Sequence, residues 1–136
     1  MELTLAQLIG AGREGFPGLV GVEVDSVAAG VASGRLPLRA QHLAPNGYLH
    51  AAAVIALADT ACGYGCILSL PEGGLGFTTI ELKTNFLRSV QAGTISCEAR
   101  LVHGGRTTQL WDATVSDPDG RPMALFRCTQ LVLRAS

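Results

Sequence analysis

The spacing of apolar positions changes three times along the chain, and each change predicts an element boundary. Residues 3–9, LTLAQLI, place apolar side chains at helical spacing and predict a short amphipathic helix that stops at Gly10 and Gly12, with EGFPG as an irregular loop beyond it. From Leu19 the period is two: Val22 and Val24, then Ala32, Leu36 and Leu38, punctuated by Gly21, Gly30 and Gly34, predict two strands joined at a turn or bulge. Residues 50–70 form an apolar run in which Asp59 is the only ionised side chain, entered through Pro45-Asn46-Gly47 and closed by Pro71, Gly73 and Gly74. The run predicts one long helix, buried on all sides because the rest of the chain wraps it. Beyond Gly76 the period returns to two. Residues 77–87 set Ile80, Leu82 and Phe86 on one side and Thr79, Glu81 and Lys83 on the other. Residues 94–103, 107–116 and 123–133 alternate likewise, with turns at Gly104-Gly105 and Asp117-Pro118-Asp119-Gly120. Two strands, a long helix and four strands as an antiparallel meander give an α+β chain, with an antiparallel sheet wrapped around one long central helix.

Composition narrows the function. The 136 residues make a single domain, 1–136. A hydrophobic share of 48% against a charged share of 15% excludes a disordered chain, and a net charge of −1 leaves no basic surplus for a nucleic-acid backbone. Residues 50–70 are long enough to cross a bilayer, but Gly63 and Gly65 interrupt the run and an Asp at its centre is costly in lipid, so no membrane partner is expected. Cys62, Cys66, Cys97 and Cys128 form no CxxC pair and the first residues carry no signal-peptide pattern, which predicts buried thiols in a cytoplasmic protein. His42 and His103 have no acidic or thiol residue at metal-ligand spacing, so no metal site is predicted. No dinucleotide, phosphate-loop, zincin or α/β-hydrolase motif occurs.

The stretch from His42 to Ala61 carries the chemistry. The turn at Asn46-Gly47 feeds the chain into the long helix, whose first N–H groups, at Ala51 and Ala52, carry the positive end of the helix dipole. Such a site suits an anion or a polarised carbonyl oxygen, and alanine methyl groups leave it open to a ligand. His50, directly before the helix, reads as a cap, with acid catalysis as the alternative. Asp59 has no basic residue three or four positions away in an otherwise apolar helix. Burial of a lone carboxylate is costly, so Asp59 is either a satisfied structural group or a general base or nucleophile tuned by burial. Arg88, Arg106 and Lys83 offer charge-assisted donors for phosphate groups.

The pattern Gly47-x-x-His50, two small residues, then Leu57-Ala58-Asp59-x-Ala61, followed by a strand ending Asn85-Phe86-Leu87-Arg88, resembles the hotdog-fold acyl-CoA thioesterases of the phenylacetate-pathway (PaaI) and 4-hydroxybenzoyl-CoA thioesterase type. The resemblance runs from His42 to Val132. It implies a hotdog fold and hydrolysis of an acyl-CoA to free acid and coenzyme A, with coenzyme A as part of the substrate and no separate cofactor. It also implies that the Ala51 N–H binds the thioester carbonyl oxygen and that Asp59 is base or nucleophile. Thr79, or Thr78 if the register slips by one, assists from the strand. Asn46, Gly47, His50, Ala52 and Arg88 complete the implied substrate contacts. The resembled enzymes usually carry Gly-Gly after the His, where this chain has Ala51-Ala52, and Asn or Gln six residues before it, where this chain has Ala44. Either Asn46 supplies the missing amide or the site works more slowly without it.

Helix geometry bears on assembly. Ala51 and Asp59 are eight residues apart, about 12 Å along one helix, whereas an oxyanion donor and a base acting on one carbon must both lie within about 3–4 Å of it. The two groups therefore come from different subunits across a two-fold axis. A homodimer is the smallest active unit expected, and the resemblance extends it to a dimer of dimers. The alternative reading is a non-catalytic acyl-CoA binding or sensor protein, which Ala44 keeps open.

Overall fold

A computed structural model gives the structure of the protein and describes residues 4–136. Helices α1 (Leu5–Glu14) and α2 (Phe16–Val20) precede strands β1 (Glu23–Ala28) and β2 (Val31–Pro37). A short helical turn (Ala40–His42) leads to α3 (Ala51–Leu68), and strands β3 (Gly74–Phe86), β4 (Thr94–Gly104), β5 (Thr108–Ser116) and β6 (Pro122–Arg134) follow. The expected α+β architecture is present: six antiparallel strands form one sheet that packs along α3. Trp111, Leu36, Leu57, Ile95 and Val115 are fully buried between helix and sheet. At Gly65 the indole of Trp111 fills the space a side chain would take, since a Cβ there would lie 2.5 Å from it.

The first helix is longer than expected, although residue 3 of the predicted segment lies outside the described residues. Thr4 and Gln7 close a capping box, each side chain bonded to the other's backbone N–H, and the helix then runs through Gly10 and Gly12 to Glu14. Gly12 is a packing residue rather than a stop, because a Cβ at that position would come within 2.1 Å of the Tyr64 hydroxyl on α3. The predicted loop EGFPG is instead the entry to α2, with Pro17 in its first turn, where a missing N–H costs nothing.

The four-strand meander needs a second correction. The sheet order is β1-β2-β4-β5-β6-β3, so β4, β5 and β6 form a meander of three strands while β3 crosses over to pair with β6. The sheet interior is completed by β2 against β4, which leaves β3 an edge strand. The predicted faces of β3 also change, because the ladder slips between Thr79 and Glu81 and Ile80 becomes the extra residue of a bulge. Directly paired residues share a face. Phe77, Thr79, Leu82, Thr84 and Phe86, paired with Val132, Gln130, Cys128, Phe126 and Ala124, therefore face the helix side, and Thr78, Glu81 and Lys83 face outward.

Nor is α3 covered on every side. Ala53, Val54, Leu57, Ala58, Ala61, Cys62 and Cys66 are buried toward the sheet, while Ala51 and Ala52 are exposed and Ile55 and Asp59 are half-buried. One sheet can cover only one side of a helix, and along the i, i+4 spacing Ala51 is exposed while Ile55 and Asp59 are only partly covered in the single chain. All four cysteines are free and buried, as expected, and burial pushes the Cys66 and Cys97 thiols up to about 12. The outer face of the sheet is mixed: Arg35 is bonded to Asp25 at 2.6 Å and Arg127 to Asp112 at 2.5 and 2.7 Å, while Leu125, Leu131 and Leu133 of β6 are exposed.

Candidate active site

The start of α3 is fixed from below by His42. Its ring is buried: Nδ1 accepts from the Arg39 N–H at 2.9 Å, so Nε2 carries the proton and donates to the Val20 carbonyl at 2.5 Å. The His42 carbonyl in turn accepts the His50 N–H at 2.9 Å, and the Leu49 N–H bonds to the Val90 carbonyl at 3.0 Å. Between these anchors residues 44–48 make a tight turn. The Ala44 N–H meets the Tyr48 carbonyl at 2.7 Å, the Gly47 N–H meets the Ala44 carbonyl at 2.9 Å, and Gly47 takes a left-handed φ of 87° that favours glycine. The Asn46 carbonyl oxygen accepts from the Tyr48 N–H at 3.1 Å, so only its amide N–H₂ is left to meet a ligand.

His50 is the cap that the sequence predicts. Its Nδ1 accepts from the Ala52 N–H at 2.9 Å and its carbonyl accepts from the Ala53 N–H at 3.0 Å. Of the two donors expected to be free, Ala52 is therefore taken, and the Ala51 N–H alone has no partner among the described residues. Ala51 lines a cavity of about 470 Å³ together with Asn46, Tyr48, Leu49, Val54, Phe86, Leu87, Arg88, Ser89 and Met123. The cavity unites Asn46, Ala51 and Arg88 of the expected set; Ala44, Gly47, His50 and Ala52 frame the turn and helix start without lining it. Arg88 has no carboxylate partner among the described residues. Tyr48, Phe86 and Met123 were not expected as site residues. Tyr48 and Phe86 lie within the motif itself, whereas Met123 arrives from β6, where its carbonyl accepts the Leu87 N–H at 2.9 Å, and no local pattern points to it.

Asp59 and Thr79 lie elsewhere. Gly63 packs on the ring of Phe77, so close that a Cβ on it would be 3.1 Å from the ring, while Val54 and Phe86 line the same cavity; α3 and β3 therefore run in opposite directions. One helical turn back from Gly63 is Asp59, about 6 Å along the axis. Two residues on from Phe77, on the same face, is Thr79, about 6–7 Å along the strand. By these spacings Asp59 and Thr79 stand at about the same level along α3 and β3, whereas Thr78 pairs with Leu131 on the outer face. One Asp59 carboxylate oxygen is buried without a hydrogen-bond partner among the described residues, and desolvation by burial raises its pKa above the ordinary carboxylate value. The Thr79 hydroxyl donates to Gln130 Oε1 at 2.6 Å. No cluster of three or more His, Cys, Asp or Glu side chains suited to a metal occurs among the described residues.

A family model described as the thioesterase superfamily matches residues 46–124, the span from the turn before α3 to the first part of β6. The proofreading thioesterase EntH of Klebsiella pneumoniae is 33% identical over 97% of this chain and 96% of its own length. A 1,4-dihydroxy-2-naphthoyl-CoA hydrolase of Listeria monocytogenes is 31% identical over 85% of this chain and 93% of its own. Among solved structures, the Escherichia coli PaaI protein from the phenylacetic acid degradation operon superposes with a TM-score of 0.84 at 26% identity, covering 97% of this chain and 95% of that one.

Proposed function

This chain belongs to the thioesterase superfamily, has its hotdog fold and hydrolyses thioesters, and we propose that its substrate is an acyl-coenzyme A taken at a site shared between two copies of the chain. The observation that carries the proposal is the Ala51 N–H, unpartnered at the positive end of α3 and set in the wall of a largely apolar cavity. A thioester carbonyl placed against that N–H gains a hydrogen bond that strengthens as its oxygen becomes an oxyanion. Leu49, Val54, Phe86 and Met123 offer hydrophobic walls to the acyl group, and Arg88 at the rim is a charge-assisted donor for coenzyme A phosphate. Coenzyme A enters as part of the substrate, and no further cofactor is needed.

Asp59 of the second subunit acts on the same carbonyl carbon, as base toward water or as nucleophile, with Thr79 beside it. A separation of about 12 Å along one helix excludes a shared role within one chain. The partly covered stripe of Ala51, Ile55 and Asp59, together with Leu82 and Phe86, exposed at 42% and 45% on the neighbouring edge strand, supplies a mostly apolar face for a second copy. Four free, buried thiols suit a reducing cytoplasm. The test is release of free thiol from a panel of aryl-acetyl, benzoyl, naphthoyl and aliphatic acyl-CoAs. Turnover of at least one class is expected, and the CoA named for the Listeria relative makes the aromatic members the first to try. Binding seen by calorimetry without thiol release from any member would favour the sensor reading, to which the methyl group of Ala44 lends support.

A further inference from the structure

Gln130 lies in the middle of β6 with no accessible surface. A buried amide is costly unless both of its ends are bonded, yet only one end is: Oε1 accepts the Thr79 hydroxyl at 2.6 Å, and Nε2 has no partner. The direction of that bond is informative. A carbonyl oxygen only accepts, so Thr79 gives its single proton to Gln130 and offers lone pairs alone on the helix side of β3. An ionised carboxylate is also only an acceptor. Thr79 therefore has no proton to offer Asp59, whereas a water molecule, with two, satisfies both.

We propose that Gln130 is a positioning residue that holds the Thr79 hydroxyl as an acceptor, so that Thr79 and Asp59 together aim a water molecule at the thioester. This rests on the reading of the chain as an acyl-CoA thioesterase with Asp59 and Thr79 in its site, and it selects the base role of Asp59 over the nucleophile role. The water oxygen bonds to the carbonyl carbon while one of its protons passes to the Asp59 carboxylate. The C–S bond then breaks, its electron pair leaves on sulfur, and the Asp59 carboxyl returns the proton to the thiolate. Free acid and coenzyme A thiol are released with Asp59 regenerated.

The test measures kcat and KM for Thr79→Val, Gln130→Met and the double variant, with thermal melting of each. Gln130→Met is expected to lower kcat about three- to tenfold, the worth of one neutral hydrogen bond, at unchanged KM. Thr79→Val should lose at least as much, and the double variant no more than Thr79→Val alone, because Gln130 acts only through that hydroxyl. Gln130→Glu keeps an accepting oxygen and should retain most of the turnover, which supplies the readout if the Gln130→Met chain melts below assay temperature. A single turnover in heavy-oxygen water should label the acid and leave Asp59 unlabelled. Label in the Asp59 peptide, additive losses in the double variant, or full kcat in Gln130→Met would overturn the proposal while leaving the thioesterase reading intact. Full kcat in Thr79→Val would instead remove Thr79 from the site, and no thiol release from any acyl-CoA would remove the substrate reading beneath both.

Discussion

The two ends of the partly covered stripe on α3 are built in opposite ways. At Ala51 the chain offers a free donor, an open cavity and a turn held on both sides by His42 and Val90. The helix contributes there one N–H donor, the methyl group of Ala51 and the side chain of Val54. At Asp59 the chain offers a reactive group with one oxygen buried and unpartnered, and that group lines none of the cavity at the helix start. One end presents an unused donor beside an open cavity; the other presents an unused acceptor that is buried. The difference teaches that the donor and the carboxylate are complementary in chemistry, and that the axial distance of about 12 Å keeps them from meeting on one helix, which is what the proposed shared site requires.

The sharpest way to break this comparison is to remove the reactive end. Asp59→Asn is expected to fold and to lose roughly 10²–10⁴ of kcat, the usual range for a positioned base, as read by steady-state thiol release alongside thermal melting. A loss of stability with little loss of rate would make Asp59 a structural residue instead. The next test asks whether the two ends belong to different chains. Proline at the first helical position removes an N–H without breaking the helix, so Ala51→Pro should be inactive by itself. Mixed in equal amounts with Asp59→Asn chains, it should regain about a quarter of parental activity, since half of the dimers would be mixed and each would hold one intact site of two. Native mass spectrometry reports whether the mixed dimers form, and mixed dimers without activity would place both groups in one chain.

A smaller effect is expected at the receptor end. Asn46 lines the cavity and Ala44 does not, so Asn46→Ala should lower kcat/KM by about two- to tenfold while Ala44→Asn moves it less. The reverse pattern would return the amide role to position 44. The smallest effects are those of pH. Asp59 works as a base only when ionised, and burial holds its pKa above the ordinary carboxylate value. Activity should therefore fall on acidification at a pH above that value, and this limb should be missing from the residual rate of Asp59→Asn. Stability carries the opposite sign. A carboxyl whose folded pKa is raised favours the fold below its unfolded pKa and loses that contribution as pH rises through the folded one. Asp59→Asn should accordingly melt higher than the parent at neutral pH and no higher in acid, a difference that melting curves across pH would show.

Much of this was legible in the sequence because it is local. Period two and the long apolar run delimit six strands and one helix to within a few residues, and Asp59 is conspicuous as the lone charge in that run. His50 reads as a cap from its position alone. What could not be read depends on contacts distant in sequence. The pairing of β3 with β6 is set by which strands close the sheet rather than by any pattern within β3. The bulge at Ile80 exchanges faces in a strand whose alternation looks unbroken, and so separates Thr79 from Thr78 by position rather than by residue type. Met123 reaches the cavity only because β6 begins beside Leu87. Gln130 sits in a strand where its neighbours, Thr129 and Leu131, give no hint that its amide meets a hydroxyl far back in the chain.

The fit between Gly65 and Trp111 sets a rule for how this sequence can drift. Any side chain at position 65 would place its Cβ 2.5 Å from the indole, so with tryptophan at 111 the position admits only glycine. Replacing the indole first with a smaller ring opens the room and leaves a void, a cost of packing that an alanine at 65 then partly recovers. The pair can therefore change only in one order, large residue before small. A chain that takes the other order passes through an overpacked intermediate in which α3 and the indole must shift apart.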